Sequence, residues 1–278
     1  MTGSAGGAGA DPLERIAAAL ERLAPASLGH ADWLAAPAYV WNGAARPVAT
    51  LVAPDLALLR GIDAQKALVT ANVDRLAAGH AAHDMLLWGA RGMGKSALLR
   101  AAVAAAQARG EPLALVQVAA DSLPGLAALF ATLAAVERRF LVFIDDLGFE
   151  EGDSAGARAL RSWLEGGVEA RPANVRLAVT SNRRAIVARH AAEQDDPLNP
   201  RDVVDDRLAL ADRFGLSIGF HNCSQDDYLA IIAGYAAAHE LVFDSADALE
   251  WSKRRGARSG RVAWHYITEL AGRAGKAL

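Results

Sequence analysis

Eight consecutive residues with the sequence GARGMGKS follow the pattern G-x-x-x-x-G-K-[ST] over residues 89–96. The glycines allow the backbone to wrap around a phosphate group and to direct successive N–H groups at its oxygens. The ammonium group of Lys95 would reach the β- and γ-phosphates, and the hydroxyl of Ser96 would bind Mg²⁺. The residues expected to bind such a ligand are Gly89, Ala90, Arg91, Gly92, Met93, Gly94, Lys95 and Ser96.

The sequence on either side of this loop supports the interpretation. The apolar run of residues 85–88 is typical of a buried strand, and residues 97–103 are rich in strong helix formers. A helix that begins at the loop adds the partial positive charge of its N-terminus to the phosphate site. The alternative is a glycine-rich turn that matches the pattern by chance, and the flanking elements disfavour it.

Two adjacent carboxylates, Asp145 and Asp146, end the apolar run of residues 140–144. A buried strand that ends in this way can deliver a carboxylate to the Mg²⁺ beside the phosphates, and Asp145 would be that ligand, directly or through water. Asp146 would orient or deprotonate the attacking water. Glu150 and Glu151 lie close by in the sequence, so the choice of catalytic base stays open. Two surface acids that merely close a strand are the alternative.

Three further polar residues extend the candidate site. Asn182 follows the strand-like residues 175–180 and would hold the attacking water or sense the γ-phosphate, although an Asx-type turn is the simpler alternative. Arg213 precedes the apolar residues 216–220, and an arginine from one subunit can neutralise transition-state charge in the next. Arg261 opens the last predicted helix and would report the nucleotide state to the C-terminal unit. For Arg213, a surface ion pair with a neighbouring aspartate is the alternative.

The order of the elements predicts the fold. Strand-like and helical segments alternate, which favours an α/β fold with a five-stranded, mostly parallel sheet covered by helices on both faces. Together with the phosphate-binding loop, this order leads us to expect a three-layer sandwich of the P-loop NTPase type. A small all-helical lid follows it. The predicted strands are residues 85–88, 113–118, 140–144, 175–180 and 216–220. The predicted domains are a disordered tail over residues 1–10, a partly helical N-terminal extension over 11–58, a nucleotide-binding core over 59–222 and the helical lid over 223–278.

Taken together, these motifs resemble those of the AAA+ ATPase superfamily, from about residue 59 to the C-terminus. Within it, the chain is similar to a bacterial family of predicted AAA+ ATPases whose function is uncharacterised. The segments that carry the resemblance are LLWGARGMGKS from Leu86, FIDDL from Phe143, TSNRR from Thr180, DRFGL from Asp212 and RSGRVAW from Arg258. Their joint occurrence in this order is quite specific.

The resemblance implies a role for each motif. It implies a Walker A motif over residues 89–96, a Walker B motif at Asp145 and Asp146, sensor 1 at Asn182, a candidate arginine finger at Arg213 and sensor 2 at Arg261. Many AAA+ members have Asp-Glu where this chain has two aspartates, although helicase-loader-like relatives also carry Asp-Asp. Because the second carboxylate is shorter, we expect slow hydrolysis by the isolated chain and faster hydrolysis in a homo-oligomer that Arg213 completes in trans.

The expected function is therefore an ATPase module that binds ATP and Mg²⁺, releases ADP and phosphate, and drives or gates a conformational change on an unknown protein client. The alternative is a nucleotide-gated adaptor, similar to a helicase loader and associated with nucleic acid, in which turnover is incidental. A small-molecule phosphotransferase is weaker, because it needs neither the sensor-like Asn182 and Arg261 nor a helical lid.

The amino-acid composition narrows the expected partners and the expected location of the protein. The 278 residues carry a net charge of −3, which argues against a globally basic nucleic-acid coat. The basic cluster of residues 253–258 leaves local contact with nucleotide or DNA phosphates open.

No run of 18 apolar residues predicts a membrane span, no signal peptide is evident, and Cys223 is the only cysteine, so we expect a cytoplasmic protein. A buried filler is the simpler role for Cys223 than a catalytic thiol. Residues 152–156 match a G-x-S-x-G nucleophile elbow, but a helix cap explains them better.

Overall fold

One seven-stranded sheet forms the centre of the protein. The computed structural model describes residues 31–147, 160, 164, 172–182 and 213–278, and the following elements lie within them. The strands are β1 (Ala38–Trp41), β2 (Ala45–Val48), β3 (Met85–Gly89), β4 (Leu113–Val118), β5 (Arg139–Ile144), β6 (Val175–Ser181) and β7 (Leu216–Phe220). Their spatial order is β2-β1-β4-β5-β6-β3-β7. Only the β1–β2 pair is antiparallel, and every other described pair is parallel.

Helices connect and cover these strands. The α-helices are α1 (Asp63–Ala77), α2 (Lys95–Ala108), α3 (Leu126–Ala134), α4 (Gln225–Ala238), α5 (Ser245–Arg254) and α6 (Gly260–Arg273). Two short 3-10 helices cover Leu56–Leu58 and Ala120–Gly125. Several sequence predictions fall outside the described residues: the tail over 1–10, the start of the N-terminal extension, Glu150, Glu151 and the 152–156 motif.

The predicted α/β class and mostly parallel sheet are confirmed, but the predicted number of strands is wrong. The two additional strands, β1 and β2, lie in the N-terminal extension over residues 11–58, which was predicted to be partly helical. Each is only four residues long, and β2 contains Pro47, so neither shows a clear strand pattern. Pairing with β4 makes β1 a strand, with Tyr39 opposite Val116. The Tyr39 ring is buried against Trp33 at a centroid distance of 4.6 Å.

Side chains on the two faces of the sheet enter two separate cores. In β3, Met85 and Leu87 belong to the core beneath α1, α2 and the C-terminal helices, whereas Leu86 belongs to the core beneath α3. This alternation follows from the two-residue period of a strand. Both faces of the parallel sheet are therefore covered, as a three-layer sandwich requires.

The three C-terminal helices pack on the first of these cores. Ser224 and Asp227 form a capping box at the start of α4. Tyr228 of α4 and Tyr266 of α6 are fully buried, and both belong to the same core cluster as residues of α1 and α2. The helical unit therefore shares a hydrophobic core with the α/β layers. In the part of the chain described here, no helix is long and apolar enough to span a membrane.

The buried amide of Asn174 gives a test of this packing. Its Nδ2 donates to the carbonyl oxygens of Leu133, Val136 and Arg138 at 2.9–3.0 Å, which ties the end of α3 to β6. The isosteric change Asn174→Asp would place a carboxylate against these three oxygens. We expect the free energy of unfolding to fall by about 3 kcal/mol, measured by urea denaturation at pH 7. The matched control Asn42→Asp changes an exposed turn residue and should shift stability by about 0.5 kcal/mol or less. Equal stabilities of the two variants would contradict this packing.

Candidate functional site

The glycine-rich loop lies where β3 meets α2, at the carboxyl edge of the sheet. Gly89, Gly92 and Gly94 have φ angles of 120°, 74° and 88°, a region that side chains other than glycine rarely adopt. A Cβ atom on Gly89 would collide with the carbonyl oxygen of Phe220, which accepts the Ala90 N–H at 2.9 Å. The end of β7 therefore packs directly on the loop, and only glycine fits at position 89.

Lys95 is the first residue of α2, and its side chain turns back over the loop. The Nζ atom donates to the carbonyl oxygens of Gly89 at 2.9 Å and Ala90 at 2.8 Å, and to Oδ1 of Asn182 at 3.0 Å. The residue is only 5% exposed. The loop, α2 and β6 are therefore joined through one ammonium group.

Burial and charge act on this ammonium in opposite directions. Desolvation lowers the pKa of Lys95, while the carboxylates of Asp146 and Asp145 act to raise it, and the guanidinium groups of Arg261 and Arg91 lower it further. A negatively charged ligand placed beside Lys95 would favour the charged ammonium. The electrostatics of the site therefore favour an anion.

The two adjacent acids belong to a network of hydroxyl and amide groups. Oδ1 of Asp145 accepts hydrogen bonds from the hydroxyls of Ser96 at 2.6 Å and Thr180 at 2.7 Å. The backbone N–H of Asp146 donates to the Thr180 hydroxyl at 2.8 Å, and the amide of Asn182 donates to the Asp146 carboxylate. Asp146 has a φ of 51°, in the left-handed region that aspartate tolerates better than most residues. The network joins β5 and β6 to the start of α2.

The Ser96 hydroxyl and the Asp145 carboxylate fit a magnesium site. Their oxygen atoms lie 2.6 Å apart, and Mg²⁺ prefers oxygen ligands with one or two carboxylates in addition to phosphates. No group of three or more His, Cys, Asp and Glu that could hold a metal occurs among the described residues. A magnesium ion here would therefore complete its coordination with phosphate oxygens and water.

A cavity of about 760 Å³ includes this network, and its volume suits a small-molecule ligand. One end is polar and charged, with Lys95, Ser96, Asp145, Asp146, Thr180, Asn182 and Arg261. The remaining lining is mostly apolar and aromatic. Its residues include Val52, Ala53, Pro54, Leu58, Leu59, Ile62, Ile231, Tyr235, His239 and Trp264.

The N-terminus of α6 lies directly on the loop. The backbone N–H of Arg261 donates to the carbonyl oxygen of Gly92 at 3.1 Å, and the Ser259 side chain caps the helix by accepting from Val262 N at 3.2 Å. A Cβ atom on Gly92 would lie 2.8 Å from the Ser259 hydroxyl. The C-terminal helical unit therefore contacts the loop through the backbone, beside the Arg261 side chain that lines the cavity.

The structure brings most of the predicted site residues to this one cavity. Residues 92–96, Asp145, Asp146, Asn182 and Arg261 all line it, and Gly89 and Ala90 contribute the carbonyls that bind Lys95. Arg91 is exposed next to them.

Arg213 lies elsewhere. It precedes β7, whose first residue, Leu216, pairs with Met85 at the start of β3, whereas the loop follows the end of β3. Arg213 is therefore at the opposite edge of the sheet from the loop of its own chain.

The apolar and aromatic lining of the cavity was missed by reasoning from the sequence. The segment of residues 52–62 carries no motif. Ile231, Tyr235 and the C-cap residue His239 recur every four residues along α4 and its end, which is also the pattern of a core-facing helix. Trp264 gives a stronger signal, because it falls outside the core-facing stripe that Ala263, Tyr266 and Ile267 form on α6.

Comparison with known families gives one match. The family described as "Protein of unknown function (DUF815)" matches residues 34–274 of the chain. No curated protein matches the chain.

Comparison with solved structures identifies the fold. The Holliday junction branch migration motor RuvB of Thermotoga maritima matches with a TM-score of 0.53 and 17% identity, over 82% of this chain and 68% of that chain. The Aeropyrum pernix ORC1 protein, solved in complex with DNA, matches with a TM-score of 0.52 and 14% identity, over 82% of this chain and 66% of that chain. The predicted resemblance is confirmed at the level of the fold, which is that of the AAA+ P-loop proteins.

Cys223 provides a test of the local environment beside the helical unit. The thiol is buried, and burial, assisted by Asp227, raises its pKa to about 11. Because the thiolate is the reactive form, alkylation at pH 8 should be about 100-fold slower in the native protein than in the unfolded chain. Mass spectrometry after timed exposure to iodoacetamide, with and without urea, measures the ratio. Equal rates would mean that Cys223 is accessible and has an ordinary thiol pKa.

Proposed function

The chain belongs to the DUF815 family of proteins of unknown function, and we propose that it is an AAA+ module that binds ATP and hydrolyses it with Mg²⁺. The observation that carries the proposal is the hydrogen-bonded network of Lys95, Asn182, Asp146, Ser96 and Asp145 at the charged end of a nucleotide-sized cavity. ADP and phosphate would be the products.

The loop and the start of α2 would hold the phosphates. Gly94, the N-cap residue of α2, has no side chain to occupy the N–H groups of the first turn, which leaves them for phosphate oxygens. The Lys95 ammonium would exchange its contacts with the Gly89 and Ala90 carbonyls for the β- and γ-phosphates. The buried ammonium would therefore have oxygen partners both with and without the nucleotide.

Ser96 and Asp145 would hold Mg²⁺, which supplies charge neutralisation on the phosphates when bound. Thr180 supports this role, because its hydroxyl donates to the Asp145 carboxylate from β6 and restricts its orientation. Ser96 lies in the first turn of α2 and Asp145 directly follows β5, so two separate elements set the distance between the two ligands.

Asp146 would orient the attacking water and accept its proton. The Asn182 amide donates to Asp146 and its carbonyl oxygen accepts from Lys95, so one side chain positions both the acid and the phosphate-binding cation. The in-line attack of water on the γ-phosphate requires this kind of positioning more than covalent chemistry. Glu150 and Glu151 are the alternative bases.

A second copy of the chain would complete the site. Because Arg213 lies at the opposite edge of the sheet from its own loop, its natural target is the γ-phosphate in a neighbouring subunit. Arg261, on the helix that contacts Gly92, would transmit the nucleotide state to the helical unit and from there to a protein client.

A nucleotide-gated adaptor is the second candidate. The backbone contact between Arg261 and Gly92 allows occupancy of the loop to affect the helical unit without hydrolysis. The exposed residues Lys253, Arg254, Arg255 and Arg258 would supply phosphate contacts to a nucleic-acid partner. Steady-state ATP turnover with and without single-stranded DNA distinguishes the two candidates, since an adaptor would bind ATP but turn it over negligibly in both conditions.

Removal of the buried ammonium tests nucleotide binding. We expect Lys95→Ala to reduce ATP affinity by at least about 100-fold, because the cavity would then hold the phosphates without its central cation. Isothermal titration calorimetry with Mg²⁺-ATP measures the affinity. The control Lys253→Ala removes an exposed lysine of α5 and should leave ATP affinity unchanged. Unchanged binding and hydrolysis in Lys95→Ala would rule out the assignment.

The role of the second aspartate is tested separately. Asp146→Asn keeps the side-chain shape but removes the base, so ATP should still bind while the rate of phosphate release falls by about 100-fold or more. Single-turnover measurement of phosphate release reports this rate. Asp226→Asn, at an exposed position in the first turn of α4, serves as the control. Full activity in Asp146→Asn would move the role of base to another residue.

A further inference from the structure

We infer that Trp264 is a specificity-determining residue: its indole ring stacks on the base of the bound nucleotide and favours two-ring purines over pyrimidines. This inference rests on the proposed function, because it concerns the apolar and aromatic lining of the same cavity. It adds the chemical basis for the choice of nucleotide, which the phosphate contacts of the loop cannot supply.

The position of Trp264 on α6 places it beyond the phosphate end. Arg261 contacts the loop through its backbone, and Trp264 follows it by three residues, which is about 4.5 Å along the helix axis and close to the same face. Both side chains line the cavity. One helix therefore presents a cation to the phosphate end and an aromatic ring further along.

The ring is held in a defined orientation by α4. Tyr235 and His239 lie one helical turn apart and contact Trp264 at centroid distances of 5.1 Å and 5.8 Å, with interplanar angles of 65° and 62°. Edge-to-face arrangements of this kind are favourable and restrict ring rotation. Because the ring is already fixed before the ligand arrives, the side chain loses less conformational entropy when the ligand binds.

Exposure indicates that a ligand in the cavity can bury more apolar surface. Trp264 is 36% exposed and Val52 is 75% exposed, and both line the cavity. Pro54 and Leu58 are also part of its lining. A flat aromatic base stacked on Trp264 would cover the exposed part of the indole ring, and a purine would cover more of it than a pyrimidine would.

Calorimetric titration of ATP, CTP and inorganic tripolyphosphate, each with Mg²⁺, tests the inference. Wild type should bind ATP about tenfold more tightly than CTP. Trp264→Leu should weaken ATP binding by about tenfold and CTP binding by less, while tripolyphosphate affinity stays within about twofold. Trp264→Phe should retain most of the ATP affinity. The control His265→Ala alters the next, exposed position of α6 and should behave as wild type.

Two results would overturn the inference: unchanged ATP affinity in Trp264→Leu, or an equal loss of ATP and tripolyphosphate binding, which would indicate a structural role. If Trp264→Leu does not fold, intrinsic fluorescence decides instead. ATP but not tripolyphosphate should then quench tryptophan emission in wild type, and Trp264→Phe should lose that quenching while it still binds ATP. A wild-type protein that binds neither ATP nor tripolyphosphate would contradict the proposed function itself.

Discussion

The burial of the Lys95 ammonium is the constraint on which the site depends. A buried charge is costly unless oxygen acceptors surround it, and here the acceptors come from the loop after β3 and from Asn182 after β6. Asn182 in turn donates to Asp146, and Asp145 accepts from Ser96 and from a β6 threonine. The hydrogen bonds that the Lys95 ammonium requires therefore fix the relative positions of two strands, the loop and a helix.

The same loop also connects the sheet to the helical unit. Phe220 at the end of β7 accepts the Ala90 N–H, and Arg261 at the start of α6 donates to Gly92. Glycine is required at position 89 because a Cβ atom would collide with the Phe220 carbonyl oxygen, and it is favoured at position 92 by a φ of 74° and by the nearby Ser259 hydroxyl. A rearrangement of the loop would break these contacts unless β7 and α6 moved with it, so the loop physically links the sheet edge to the helical unit.

Some predictions from the sequence were reliable because their physics is local. The glycine-rich turn between an apolar run and a helix-forming run needs no distant partner to be recognised. Buried parallel strands likewise appear as continuous apolar runs, as in β5, where Arg139 is the only polar residue. The two short strands β1 and β2 could not be recognised in this way, because β1 becomes a strand through its pairing with β4, more than seventy residues away.

By itself, the sequence determined the chemistry of the loop, the carboxylates and the polar strand ends, since residue type and spacing dictate which groups can bind phosphate and Mg²⁺. Only the tertiary structure decided which of these groups share a cavity. It placed Asn182 between Lys95 and Asp146 and put Arg213 at the opposite edge of the sheet, because the carboxyl ends of parallel strands meet while their starts lie at the other side. It also assembled the aromatic wall around Trp264 from two helices, and such a surface exists only once the helices pack.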